Sequence, residues 1–256
     1  MAYGFAEKLA QADKRAKQIG AMCDEWVKHK VVRHEKDGAT GVRVIRVWLP
    51  GQPDGLEPAI SEFAHAARAS LDNIAYALGE TAGAAFDEKA RKTSQFPIAT
   101  KQPPTPADFN ACIGCVPKGA RTIIENLQPT ADPEANEWLA NLRELNNDDK
   151  HHLGFTATGH QSGFGIGASR FFDSMTIGVL AMQSQPVDDD GAIEVGRYSG
   201  CELTIAGKTY DRVAIEIDAD VDFVGGVLNG KHVATVVNAI ASNLRDKVIA
   251  PLSKFL

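Results

Sequence analysis

The chain has 256 residues, 44% of them hydrophobic, and a formal net charge of −6. That apolar content suits one large core or two small ones and excludes disorder over most of the length, while the acidic balance excludes a diffuse basic surface for non-specific nucleic-acid binding. The opening MAYGFAEKLAQADKRAKQ has no apolar signal core, and no run approaches the roughly 18 apolar residues of a membrane span, so a soluble, cytoplasmic protein is expected.

In chain order, Phe5 to about His29 reads as a helix, with Phe5, Leu9, Ala12, Ala16, Ile19, Met22, Cys23 and Trp26 recurring at threes and fours. Lys30 to His34 and Val42 to Leu49 flank KDGATG, and its Asp37-Gly38 predicts a hairpin. Val42, Val44 and Trp48 are expected on its buried face. Pro50, Pro53 and Gly55 mark a loop before a helix over Ile60 to Leu78, where Arg68 and Asp72 are the only formal charges after Phe63. Such a helix has no solvated face.

Residues 80–120, with Pro97, Pro103, Pro104, Pro106 and Pro117, read as an ordered connector with little regular structure, followed by a helix near Ala120 to Asn126. Trp138 to Leu153 then forms a helix whose stripe is Trp138, Leu142, Leu145, Asp149 and Leu153. SGFGIGAS is glycine-rich, but without a strand before it and a helix after it the expectation is a flexible loop and not a phosphate-cradling turn, and His160 is read as a loop residue. Met175 to Met182, Ile193 to Arg197, Cys201 to Ile205 and Val213 to Ile217 predict an antiparallel sheet, with IDADVD at a strand end. Val233 to Leu256 is an amphipathic helix that Pro251 should end or kink.

The fold class expected is α+β in a single domain, residues 1–256, with a sheet built from the early hairpin and the late strands. The helical core should cover about 56–155, the sheet-rich part about 165–225 and the last helix about 231–256.

The chemistry concentrates where the hydrophobic stripe of the Trp138 helix runs into Asp149. A carboxylate in line with leucines needs a cation or several donors opposite it. His65, Arg68 and Asp72, at i, i+3 and i+7 of the other helix, are the expected suppliers, so the two helices should pack and enclose a polar cluster. Lys150 and His151 extend it. In a catalytic reading His151 or His65 is the general acid or base, Arg68 and Lys150 stabilise a phosphate, and Asp72 or Asp149 orients them. In a structural reading Arg68 bridges Asp72 and Asp149 and fixes helix register. A metal-dependent hydrolase using His65, Asp72, Asp149 and His151 is a third class.

No cofactor is expected. The four cysteines, Cys23, Cys112, Cys115 and Cys201, make no disulfide framework, and the single CxxC of NACIGCVPKG has no further zinc ligands at a recognisable spacing, so ordinary reduced thiols are expected.

The segments HAARASLDNIAYAL, QFPI, LQP and LNNDDKHHL, in this order, resemble a widespread family of uncharacterised bacterial and phage proteins with the pattern H-x2-R-x3-D, FPI, LQPY and LN-x-x-DKHR. Asn73, Thr130 and His152 stand where that pattern has His, Tyr and Arg. More distantly, Asn146 to His151 is similar to the Arg-polar-x3-His motif of HEPN ribonucleases, with Asn146 in the arginine position and Arg68 as the candidate replacement cation. That resemblance implies RNA or another phosphate-bearing ligand as partner and a metal-independent reaction. The acidic charge and the missing motif arginine favour a non-catalytic binding or structural protein.

Overall fold

The computed structural model describes residues 4–36, 38, 43–49, 51, 53–100, 105–150, 156–166, 174–176, 179–182, 192–199, 202–205, 208–210, 215–224 and 227–256; for residues 34, 43, 148–150 and 156–219, Ala192 excepted, only the backbone is described. The fold is α+β. The chain divides into two compact units, one of residues 1–22, 54–157 and 222–256, the other of residues 23–53 and 158–221.

The first unit is built on α2 (Leu56–Glu80), whose buried set Leu56, Ile60, Phe63, Ala67, Leu71, Ile74 and Leu78 follows the helical period, with Ala64, Ala66, Ala75 and Ala77 widening the stripe. The small side chains let neighbours approach from several sides. α2 packs against α6 (Glu137–Lys150) and α7 (Val233–Asn243). α6 contributes Trp138, Leu139, Leu142 and Leu145, and α7 contributes Val233, Val236, Val237 and Ile240. The packing of the two key helices is therefore as expected, and so is the apolar half of the Trp138 stripe. α1 (Phe5–Lys28) also matches its periodicity, and the Ser70 hydroxyl donates to the Phe5 carbonyl at 3.0 Å to tie its start to α2.

The connector differs from expectation. It holds a 3-10 turn at Gly83–Ala85 and two short helices, α3 (Glu88–Thr93) and α4 (Pro106–Ile113), before α5 (Lys118–Asn126). Its polar residues cap helices that the proline count had argued against. Asp87 accepts from the Ala90 N–H at 2.8 Å, and Thr105 and Asp108 form a reciprocal capping box with Pro106 in the first turn. A proline there lacks only an N–H that would have had no helical partner, so it starts a helix.

The last helix does not stop before Pro251. A π segment, Leu244–Ile249, follows α7 and leads directly into the helical turn Ala250–Leu252. Proline removes one i→i−4 bond and crowds the carbonyl beneath it, and a widened turn accommodates both effects.

In the second unit, β1 (Val31–Lys36), β2 (Arg43–Trp48), β6 (Ala192–Ser199) and β5 (Val179–Met182) form an antiparallel sheet in the order β1-β2-β6-β5. The early hairpin and the late strands thus share one sheet. Its inward face on β2 is the opposite of the one expected: Ile45 and Val47 are buried, while Val44 and Trp48 are half-buried. The register shift between Ile45 and Arg46 is a bulge. The Arg33 guanidinium lies 4.9 Å from the Trp48 ring centre, which explains how a tryptophan sits on the wetter face.

The expected Met175–Met182 strand is split between sheets. Ser174–Thr176 (β4) pairs with Glu202–Ile205 (β7), which pairs with Lys208–Tyr210 (β8), whereas β5 belongs to the larger sheet. β3 (Thr156–Ile166) pairs with β9 (Ile215–Val224). Two further expectations are corrected by that pair: Ser162 to Ile166 of the glycine-rich run and His160 lie in a strand, and IDADVD runs through β9 and does not end it. Glycines weaken a strand without preventing ladder bonds.

Candidate functional site

Arg68 and Asp72 sit one helical turn apart on α2, with the guanidinium and carboxylate joined through two parallel hydrogen bonds: Nε donates to Oδ2 at 3.1 Å and Nη2 to Oδ1 at 2.8 Å. The pair does not close on itself alone. Arg68 Nη2 also donates to the Phe96 carbonyl at 2.8 Å, and the Phe96 N–H donates to Asp72 Oδ1 at 2.9 Å. Both backbone polar groups of Phe96 are thereby satisfied by one ion pair, and its ring is fully buried. The expectation of a mostly buried cluster holds for the arginine, whose side chain is 18% exposed, and less for the aspartate, at 35%.

The same treatment extends along the irregular segment 94–100. Its backbone has no strand partner, so side chains from α2, α6 and the turn after α5 supply one. The Ala99 N–H donates to Gln128 Oε1 at 3.0 Å. Gln128 is itself buried and donates through Nε2 to the Ile124 carbonyl at 2.9 Å, capping the end of α5. From α6, Arg143 Nη1 donates to the Ile98 carbonyl at 3.3 Å and to the Thr100 hydroxyl at 2.5 Å. Asn136 Nδ2 donates to the carbonyls of Asn126 and Gln128, at 3.0 and 3.3 Å, and fixes the turn that carries Gln128. The segments HAARASLD, QFPI and LQP are therefore three parts of one hydrogen-bonded arrangement.

His65 does not join it. It is exposed and lines an open groove of about 560 Å³ with Gln11, Lys14, Arg15 and Glu62, the last two paired with each other. An i−3 spacing places His65 near Arg68 along the helix, but Arg68 points to the 94–100 segment. The backbone of α6 continues through Asp149 and Lys150, whose side chains lie outside the described residues, as does His151 altogether. Among the described residues no group of three or more His, Cys, Asp and Glu side chains is placed to share a metal ion. No helix among them is long and apolar enough to cross a membrane.

Residues the sequence reading did not single out carry much of the geometry. Arg143 and Asn136 are ordinary polar positions by pattern, and Gln128 had only its place beside Pro129 to mark it. A second polar group, where β9 meets α7, was also missed: His232 Nδ1 lies 2.7 Å from Asp222 Oδ1, and Lys231 Nζ donates to Glu137 Oε1 at 2.7 Å and to Asn141 Oδ1 at 3.1 Å. The strand-like residues Asp222 and His232 form an isolated antiparallel bridge, so the pair ties a strand end to a helix start.

The thiols divide by environment. Burial, then the charges of Asp24 and Asp220, push the Cys23 thiol from 9.0 up to about 11. Cys112 and Cys115 are half-buried; Gln95 Nε2 donates to Cys112 Sγ at 3.6 Å, and Cys115 Sγ donates to the Ala85 carbonyl at 3.2 Å. Among carboxylates, Asp108 is held below its usual range by the Thr105 hydroxyl and then the Thr105 N–H.

Comparison of the chain with family models, with curated proteins and with solved structures finds no match.

Proposed function

We propose that this is a non-catalytic binding or structural protein in which Arg68 and Asp72 clamp the backbone of the Phe96 segment. One observation carries the reading: Asp72 Oδ1 and Oδ2 and Arg68 Nε and Nη2 are engaged by each other and by the Phe96 N–H and carbonyl. A general base needs a lone pair facing its substrate, and an anion site needs donors that are not already spent on a carboxylate. Membership of the bacterial and phage family belongs to the same proposal. The mutual hydrogen bonding of three of its four motif segments supports treating them as a folding signature.

The test is incubation of the purified full chain with single-stranded RNA in the presence of a chelator, alongside His151→Ala. The expected result is no cleavage by either. Cleavage by the parent that His151→Ala abolishes would replace this reading with a HEPN-like ribonuclease. Cleavage that appears only when a divalent ion is restored would replace it with a metal-dependent hydrolase.

A further inference from the structure

Cys112 and Cys115 have no part in the clamp, yet they are tied to it. Cys112 lies in the last turn of α4, and Cys115 follows the C-cap residue Gly114. Both cysteines line one cleft of about 550 Å³, together with Phe86, Ser94, Asn110 and Ile113. A cleft of that size admits a small reagent. The Gln95 N–H donates to the Cys112 carbonyl at 3.4 Å and the Gln95 side chain to Cys112 Sγ at 3.6 Å, so the residue next to Phe96 is anchored on the first cysteine. The second is anchored on Ala85 through its thiol proton.

Side chains at i and i+3 of a helix stand about 5–6 Å apart at Cβ, whereas a disulfide needs about 3.5–4.5 Å. Here the second cysteine lies past the helix end, and the joint between the two is Gly114, where an added Cβ would fall 2.5 Å from the Asn110 carbonyl oxygen. Closing the pair requires rotation at that joint, which gives up the bond from the Gly114 N–H to the Asn110 carbonyl at 3.1 Å. Oxidation also removes the proton that Cys115 donates to Ala85.

We propose that Cys112 and Cys115 are a redox-responsive dithiol, closed to an intramolecular disulfide by a low-molecular-weight disulfide of the glutathione class, and that closure loosens the Phe96 segment through Gln95. The thiolate of one cysteine attacks a sulfur of the reagent, forming a mixed disulfide and releasing one reagent thiolate. The thiolate of the second attacks the protein sulfur of that mixed disulfide, closing the ring and releasing the other. The two thiol protons end on the two released thiols, so one disulfide is reduced as one is formed.

The test treats the full chain with oxidised glutathione, maps thiols by alkylation and mass spectrometry, and follows amide hydrogen exchange. Cys112 and Cys115 should be lost together with no glutathione retained on either, while Cys23 stays free. Cys112→Ser and Cys115→Ser should each retain one glutathione on the remaining cysteine of the pair. Exchange at the amides of Gln95, Phe96, Ile98 and Ala99 should rise about tenfold on oxidation of the parent and remain unchanged in the doubly substituted chain. Glutathione persisting on Cys112 or Cys115 of the parent, unreacted Cys112 and Cys115, or equal exchange in the oxidised and reduced parent would overturn the proposal.

Discussion

Replacing Arg68 by alanine gives the most direct measure of the clamp. The substitution removes a charged donor from the Phe96 carbonyl, which belongs to a fully buried residue; a hydrogen bond to a charged group contributes about 1.5–3 kcal/mol. It also removes the ion pair, whose acid is 35% exposed, so solvent screening limits that part to about 1 kcal/mol or less. The remaining carboxylate keeps the Phe96 N–H and is reached by water, and the larger penalty of a stranded, fully buried charge does not apply. The expected loss is about 2–4 kcal/mol by urea denaturation with an unchanged m-value. Arg68→Lys should recover less than half, because an ammonium cannot present the two parallel donors and also reach Phe96. Hydrogen exchange supplies the local readout, with the Phe96 N–H losing protection before the α2 amides do. A loss below about 0.5 kcal/mol, the range of surface substitutions, would refute the clamp as a stabilising device.

Gln128→Ala should destabilise by about 1–3 kcal/mol in the same titration, since it leaves the part-buried Ala99 N–H and the buried Ile124 carbonyl without their side-chain partners. Gly79→Ala should lower the melting temperature although alanine is the better helix former by about 1 kcal/mol, because the new Cβ would lie 2.5 Å from the buried Phe86 ring; Phe86→Leu in the same chain should restore part of the loss. Stability should also fall as the pH rises from about 9 to about 11. The folded chain holds the Cys23 thiol protonated up to about 11 against 9.0 for a free thiol, so its contribution is complete below the lower value and lost through the higher one. The difference between the parent and Cys23→Ala should decline over that window by an amount on the order of 2–3 kcal/mol, and a flat difference would contradict the burial argument.

Periodicity located α1, α6 and α7, because a helix that buries a stripe must repeat apolar residues at threes and fours wherever its neighbours lie. The i, i+4 spacing of Arg68 and Asp72 likewise determined that they could pair, being a property of one helix. What that pair holds was decided by tertiary structure. Nothing in the spacing from Asp72 to Phe96 shows that an irregular segment returns to present its N–H and carbonyl to the ion pair, since backbone groups carry no residue identity to read. The roles of Gln128 and Arg143 were hidden for the same reason. On β2, alternation gave two faces, and the inward one expected from Val44 and Trp48 was the wrong one; the packing of the sheet buries Ile45 and Val47 instead. The prolines of the connector were ambiguous by nature, because the same ring ends one helix and begins another, and the capping bonds of Thr105 and Asp108 that settle the matter exist only once the turn has formed.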